Sequence, residues 1–344
     1  MKKAVQSPLT WVFIMIAGAL ILIFFVTLAY RYQEMAQQKL SIEIESSIDS
    51  VISDVLQSSG SSVPIPMPRA GIAFHCSSTC DCRLRIGSIP QGSPFAEKIY
   101  FAHGYLKDVD ITLWALSWNV PFRATNFLYV TNPMIKYYIV TDSSTHSQSL
   151  KDEISEIMPS NMSIEFIDIS SVGSIPRPNF HDVKFLFLDS GKSSLDNSFE
   201  KDVMYSVELK GNNIQFLFKD SGSTFFQETG QEIPLITDDV TGILGAMFSA
   251  DPNMFLCNMQ KAYTRLKYVS QVFTERTKKL DGYEDRCYYT GPAGMKQFED
   301  IAAAAEALLA NPTDSTAVAS IDMLYESLEK LNREQVIDGC PELY

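Results

Sequence analysis

The chain is poor in basic residues and in histidine. It has 28 Lys and Arg against 41 Asp and Glu, a formal net charge of −13, and four histidines in 344 residues. Proteins that bind nucleic acid through its phosphates need a basic surface, so this composition argues against a nucleic-acid partner. Four histidines leave little material for histidine-based catalysis. The 17 glycines and 16 prolines are too few for a collagen-like or wholly disordered chain.

Several catalytic and cofactor motifs are also missing. The sequence contains no Gly-x-Ser-x-Gly elbow and no His-Glu-x-x-His zinc helix. Gly191-Lys192-Ser193 follows a predicted strand, but Leu186 stands where a phosphate-binding loop needs its first glycine. No glycine-rich turn follows the predicted strand at 136–141, so a dinucleotide-binding fold has no fingerprint. We therefore expect no bound cofactor.

The sequence does contain one long hydrophobic run. Residues 4–30 carry no charged side chain, and the part from Trp11 to Tyr30 is almost wholly apolar. About 20 helical residues, at roughly 1.5 Å each, cross the ~30 Å hydrocarbon core of a bilayer. A removable secretory signal is the alternative, but its apolar region is shorter, roughly 7–15 residues, and ends in a small-residue cleavage site that 28–31 does not offer. The run predicts a membrane helix with the lipid bilayer as its partner.

The helical pattern continues beyond this run. No Gly or Pro occurs from Arg31 to Leu56, and apolar residues recur in steps of four, three and four at Ile44, Ile48, Val51 and Val55. This stripe is typical of an amphipathic helix. We predict a stalk helix whose stripe meets either another stalk, giving self-association through 40–56, or the protein's own head.

The residues before the helix carry a family resemblance. Lys2-Lys3-Ala4-Val5-Gln6-Ser7-Pro8-Leu9 runs directly into the hydrophobic helix and its amphipathic continuation. Over about the first 60 residues this arrangement resembles archaeal type IV pilin-like proteins, in which a prepilin peptidase removes a short basic leader. The resemblance implies cleavage after Ala4, with Val5 as the first mature residue. Leu9 lies where many bacterial pilins carry an acidic residue. A plain single-pass anchor is the alternative.

The six cysteines supply the second indication of compartment. An even number in a membrane-anchored chain predicts disulfides in an oxidising space. Cys80 and Cys82 are too close to pair with each other, so at least one of the first three cysteines should reach a distant partner; the pairing otherwise stays open. A metal site on 75–82 would need a second cluster of ligands, so we predict no metal. The cysteines are Cys76, Cys80, Cys82, Cys257, Cys287 and Cys340.

Topology and segment boundaries follow from these features. The basic residues on the two sides of the membrane helix are nearly balanced, and a large domain translocates largely regardless of charge. We therefore place the N-terminus in the cytoplasm and the bulk of the chain outside the cell membrane, where Asn161-Met162-Ser163 is a glycosylation sequon. The predicted segments are a basic leader or tail (1–8), a membrane helix (9–30), a stalk helix (31–59), a Pro/Ser-rich linker (60–71), an α/β domain (72–240) and a helical segment (241–344).

The globular part predicts an α/β fold. Short strands are expected at 72–74 and 98–101, and 110–118 fits a strand or a helix. A strand at 136–141, a helix at 147–158 and strands at 163–169 and 183–189 predict a small mixed sheet with a right-handed crossover. A hairpin at 203–218 follows. Helices are expected from the stripe between Phe255 and Phe273, and at 295–310 and 315–334, the last capped by Asp314 or Ser315.

Candidate site residues lie where two of these strands end. Asp142 and His146 follow one strand, and Asp189 ends another, at the edge where open α/β sheets place ligands. Polar turn chemistry explains the same residues without a ligand. The sequence favours a non-enzymatic, single-pass surface protein with a structural or binding role, possibly a pilin-like subunit. An extracytoplasmic, membrane-tethered hydrolase or transferase is the alternative.

Overall fold

The computed structural model confirms the predicted architecture of an N-terminal apolar helix, mixed α/β sheets and C-terminal helices. Helix α1 (Pro8–Gln57) is one continuous helix of 50 residues. The structure describes residues 8–66, 71–87, 93–94, 98–107, 110–236, 239–280, 287 and 294–344.

The two halves of α1 have different surroundings. Within it, Trp11–Gln33 is long and apolar enough to cross a membrane, and none of its most apolar stretch is buried by the rest of the chain. Near the C-terminal end, Ile48, Ile52 and Val55 are almost completely buried in the main hydrophobic core. The stalk stripe therefore meets the protein's own head in this part; the side chain of Ile44 lies outside the described residues.

The predicted linker forms part of a sheet instead. Strand β1 (Ser62–Ile65) pairs with β7 (Ile111–Asn119) in antiparallel register, Ser62 opposite Trp114. The prolines at 64 and 66 suggested a free extended spacer, but a strand at the edge of a sheet tolerates proline because it bonds on one side only. The backbone nitrogen of Gly60 also donates to the carbonyl of Ala115 (2.7 Å). The stalk is thus joined to the head by paired backbone.

Two four-stranded sheets lie in this part of the head, and the C-terminal end of α1 contacts β7 and β8 of the first. The first has the strand order β1-β7-β8-β5, in which β5 and β8 run parallel and the other pairs antiparallel. The second has the order β4-β3-β2-β6, and its paired neighbours are all antiparallel. The remaining strands are β2 (Ile72–Cys76), β3 (Cys82–Ile86), β4 (Ser93–Pro94), β5 (Tyr100–Ala102), β6 (Tyr105–Leu106) and β8 (Arg123–Thr131).

The third sheet has six strands in the order β10-β9-β11-β12-β13-β14. Its first four strands are parallel, and the last two continue as an antiparallel meander. Helix α2 (Thr145–Ile157) connects β9 to β10, which confirms the predicted strand–helix–strand unit. The strands are β9 (Ile135–Thr141), β10 (Ile164–Asp168), β11 (Asp182–Leu188), β12 (Met204–Lys210), β13 (Asn213–Lys219) and β14 (Gln227–Pro234); short 3-10 helices occupy Ile169–Ser174 and Asn197–Phe199.

Four helices complete the head: α3 (Val240–Phe248), α4 (Pro252–Leu280), α5 (Met295–Ala310) and α6 (Ser315–Ile337). The stripe predicted for α4 is confirmed, since Phe255, Met259 and Leu266 are buried. Asp314 caps α6 by accepting from the backbone nitrogens of Thr316 (2.9 Å) and Ala317 (3.2 Å).

The C-terminal helices share one core with the sheets and with the end of α1. The ring of Phe101 on the first sheet contacts the rings of Phe127 and Tyr129 of the same sheet and that of Phe255 of α4. Gly245 of α3 lies so close that a Cβ there would be 2.9 Å from the Phe101 ring. The boundary predicted at 240/241 is therefore a change of secondary structure within a continuous core.

Candidate functional site

The predicted site residues lie at the switch point of the third sheet. The chain leaves β9 towards β10 on one side and later returns to β11 on the other, so loops diverge where β9 and β11 end. Such a point is where open α/β sheets offer a crevice. The structure brings two of the three predicted residues into contact there: Nδ1 of His146 and Oδ2 of Asp189 are hydrogen-bonded.

Asp189 is held in an unusual backbone conformation. Its φ of +50° lies in the left-handed region, which Asp tolerates better than most residues. Its second carboxylate oxygen accepts from the backbone nitrogen of Gly211 (2.6 Å), in the turn between β12 and β13. The Asp189 carboxylate, at the end of β11, therefore contacts two other segments. It accepts from the turn that follows β12, and it is hydrogen-bonded to His146 in the first turn of α2.

Asp142 does not join this pair. Its Oδ1 accepts from the backbone nitrogen of Ser144 (2.9 Å), and its own backbone nitrogen donates to the hydroxyl of Ser147 (3.2 Å). Hydrogen bonds from the side chain and backbone of Ser144 hold the pKa of Asp142 below its usual value. Ser144 is itself the N-cap of α2. Asp142 thus organises the start of a helix, as the polar-turn interpretation expected.

A small cavity lies beside His146. Its volume of about 10 Å³ admits roughly one water molecule. In the described part of the chain, no side chain is hydrogen-bonded to Nε2 of His146. The cavity is lined by His146, Leu150, Leu209, Ile236, Asp239 and Ile243, among others.

Asp239 is a half-buried acid that the sequence analysis does not identify. It caps α3, with Oδ1 accepting from the backbone nitrogen of Gly242 (2.9 Å) and the hydroxyl of Thr241 (2.5 Å). Its other oxygen accepts from the indole nitrogen of Trp118 (2.9 Å). Burial raises the pKa of Asp239 despite these bonds. An Asp before an apolar helix is a recognisable cap signal, and capping explains its position here.

A second polar cluster lies at the opposite edge of the sheet, where β11 begins. Nε2 of His103 is hydrogen-bonded to Asp182 (2.7 Å), which His181 also approaches (3.4 Å). Burial lowers the pKa of His103 more than Asp182 raises it. Burial alone would raise the pKa of Asp182, but its hydrogen bond and charge interaction with His103 lower it. The cluster joins the β5–β6 turn to the third sheet.

Lys184 extends this cluster into the interior. Its ammonium group donates to the carbonyls of Met247 (3.4 Å) and Ser249, at the C-terminal end of α3. This position suits a cation, because helix carbonyls without intrahelical partners concentrate negative charge there. Burial lowers the pKa of Lys184 to about 8. Among the described residues, no group of three His, Cys, Asp or Glu side chains is placed to hold a metal ion.

The six cysteines form three disulfides: Cys76–Cys82, Cys80–Cys257 and Cys287–Cys340. The expected long-range link is Cys80–Cys257, which ties the β2–β3 hairpin to α4 across 177 residues. The predicted processing position at Ala4 and Val5 lies outside the described residues.

A groove larger than the cavity beside His146 lies between two of the C-terminal helices. It has a volume of about 510 Å³ and runs between α4 and α5. Its walls are alanines and charged side chains, and the ion pair between Lys267 and Glu306 joins the two helices. Converging acid and histidine groups do not occur among its lining residues.

Comparison with known protein families, curated proteins and solved structures finds no match to this chain.

Proposed function

We propose that this chain is a single-pass membrane protein that carries its α/β head outside the cell membrane in a non-enzymatic structural or binding role. The observation that carries the proposal is the continuity of α1. Its exposed apolar part, Trp11–Gln33, runs without a break into the turns that hold Ile48, Ile52 and Val55 in the head's core. The apolar segment is therefore an extension of the folded head, which favours retention over removal as a signal.

The disulfides support the outside placement. Disulfides persist in oxidising compartments and are rare in the cytosol. All six cysteines are paired, and one of the bridges spans 177 residues. A head matured in this way belongs on the far side of the membrane from the N-terminus.

A pilin-like subunit is the finer form of this proposal. Ile48, Ile52 and Val55 are covered by the head, so they are not available for contacts between stalks. Association between copies would instead use the exposed apolar part of α1, which in a single anchor faces lipid. Processing after Ala4, with Val5 as the new N-terminus, separates the pilin-like form from the plain anchor.

The alternative of a hydrolase or transferase requires a substrate-sized pocket with converging acid and histidine groups. His146 and Asp189 supply such a pair, but the cavity beside them admits roughly one water. The observations therefore favour the binding or structural role over catalysis at this place.

The test is the intact mass and N-terminal sequence of protein extracted from its native membranes without reductant. We expect resistance to alkaline extraction, no thiol labelled by alkylation before reduction, and six labelled afterwards. A start at Val5 supports the pilin-like form, and a start at Met1 supports the plain anchor. Release of the head by alkali, or free thiols before reduction, would contradict the anchored, outside placement.

A further inference from the structure

We propose that Asn161 is an N-glycosylation site, and that its glycan covers the place where the open edges of two sheets meet. The inference rests on the proposed placement of the head outside the membrane. It is carried by the geometry around the sequon Asn161-Met162-Ser163 and by the topology of the strands on either side.

The amide that would be modified is accessible. Asn161 is exposed in the turn that connects α2 to β10. Its Oδ1 accepts from the hydroxyl of Ser62 (3.2 Å), and within the described residues its nitrogen Nδ2 has no hydrogen-bond partner. The reactive nitrogen is therefore free, while the oxygen orients the amide.

The third residue of the sequon is held by the fold. The carbonyl of Ser163 accepts from the backbone nitrogen of Tyr137 (2.9 Å), and its hydroxyl donates to the carbonyl of Pro133 (3.2 Å). The turn thus leaves the third sheet immediately before β10 begins at Ile164. Only Asn161 and its neighbours towards α2 project from this fixed base.

The position lies between two strand edges that, within the described residues, pair with no further strand. Strand β10 ends the order of the third sheet, and β1, which starts with Ser62, ends the order of the first. Exposed edges present free backbone N–H and C=O groups that can pair with other chains. The Ser62–Asn161 contact places the amide at both edges, so a glycan there would shield them from edge-to-edge association.

The reaction itself needs an external donor, a lipid-phosphate-linked oligosaccharide, and a membrane oligosaccharyltransferase. A bond forms between Nδ2 of Asn161 and C1 of the first sugar. The bond between that C1 and the phosphate oxygen breaks, and the lipid phosphate leaves with the electron pair. The amide gives up one proton to a base, and nothing is oxidised or reduced.

The chain supplies its own matched control. Asn311-Pro312-Thr313 is the only other Asn-x-Ser/Thr triplet in the sequence, and the intervening proline disqualifies it as an acceptor. Asn311 is also exposed, in the turn between α5 and α6. The variant P312A therefore opens a second sequon on the same head and reports whether the head meets the transferase at all.

The experiment is peptide mass mapping of the full chain, expressed in a cell whose own membrane proteins carry N-linked glycans. We expect the tryptic peptide 152–184 to carry one oligosaccharide in the wild type. The added mass should be lost completely in N161Q and S163A and kept in S163T. N161Q should retain the fold because Asn161 is exposed, whereas S163A removes the hydrogen bond to the Pro133 carbonyl that the hydroxyl of S163T can keep.

Two outcomes overturn the proposal and separate it from the proposed function. If the wild type is unmodified but P312A is modified at Asn311, the head lies outside and Asn161 is not a site. If neither asparagine is modified while a resident glycoprotein of the same membranes is, the outside placement fails together with the site.

Discussion

Cys80, at the tip of the β2–β3 hairpin, is bonded to Cys257 on α4, although the two lie 177 positions apart in the sequence. Two further bridges join cysteines that are much closer: Cys287 and Cys340 are 53 positions apart, and Cys76 and Cys82 are six positions apart. The same head therefore contains three crosslinks that differ mainly in the length of chain they enclose.

Removing the bridges should destabilise the head in order of loop length. If a crosslink acts by restricting the unfolded chain, loops of this size correspond to about 5, 4 and 2 kcal/mol. The variants C80A/C257A, C287A/C340A and C76A/C82A should rank in that order in urea unfolding of the full chain in detergent. A ranking unrelated to loop length would contradict the entropic explanation.

The packing of α1 on the head can be tested at Ile52, which is fully buried. I52A should lower the free energy of unfolding of the head by about 2–5 kcal/mol, because it removes buried methyl groups and leaves a cavity. D54A, on the exposed side of the same turn, should change it by about 0.5 kcal/mol or less. Equal effects of the two variants would show that the stalk does not pack as described.

Acid should weaken the head through His103. Burial holds its pKa below the ordinary value of 6.5, so the unfolded chain takes up a proton that the folded chain refuses. Stability present above pH 6.5 is therefore lost as the pH falls below it, by at most about 1.4 kcal/mol per pH unit for one proton. The lowered pKa of Asp182 acts only near and below 3.8.

Urea unfolding at pH 7.5 and 5.5 measures this effect. H103Q should flatten the dependence between these values, whereas H75Q, at an exposed position, should leave it unchanged. An unaltered slope in H103Q would assign the acid sensitivity to another group.

Asp189 should matter for backbone conformation as well as for its contacts. D189A should lower the free energy of unfolding by about 1–3 kcal/mol for two reasons. It removes the acceptor for the backbone nitrogen of Gly211, and it leaves in the left-handed region an alanine, whose side chain cannot form a local hydrogen bond there. D189N should cost clearly less, since Asn tolerates that region and its amide oxygen can still accept from Gly211. Thermal unfolding of both variants measures the two losses of stability. Equal losses would mean that the negative charge of Asp189 contributes more than its backbone conformation.

The elements predicted well from the sequence are those with strong apolar patterns. Helix α5 has the expected bounds, and the buried strands β9 and β11 lie within a residue of the expected positions. Strand β14 was missed because its residues are mostly polar and exposed; it owes its conformation to pairing with β13. The sequence indicates a spacer at β1 because Pro64 and the neighbouring Pro66 are unfavourable in most strands, and the pairing with β7 cannot be inferred from β1 alone.

Some residues of the candidate sites could be inferred from local sequence patterns, and others could not. The sequence marked Asp142, His146 and Asp189 as candidates only because each follows the end of a predicted strand, and the structure brings His146 and Asp189 into hydrogen-bond contact. His103 lies in the turn between β5 and β6, and Asp182, 79 positions later, begins a strand of the third sheet, so no local pattern joins them. Lys184 offered a signal, since a lysine inside an apolar strand needs buried acceptors. Its acceptors, however, come from the far end of α3.

If Trp11–Gln33 spans a bilayer, the rest of α1 rigidly connects the membrane segment to the head, so the head follows any tilt of the helix. About 15 residues of helix, on the order of 22 Å, separate Gln33 from the first buried residue, Ile48. No break in α1 and no free linker lies between them, so a tilt of about 20°, ordinary for membrane helices, would carry the head sideways by roughly 8 Å and incline it by the same angle. Tilting is one way in which an apolar helix adapts to a thinner bilayer, so a change in bilayer thickness would change the direction in which the head points.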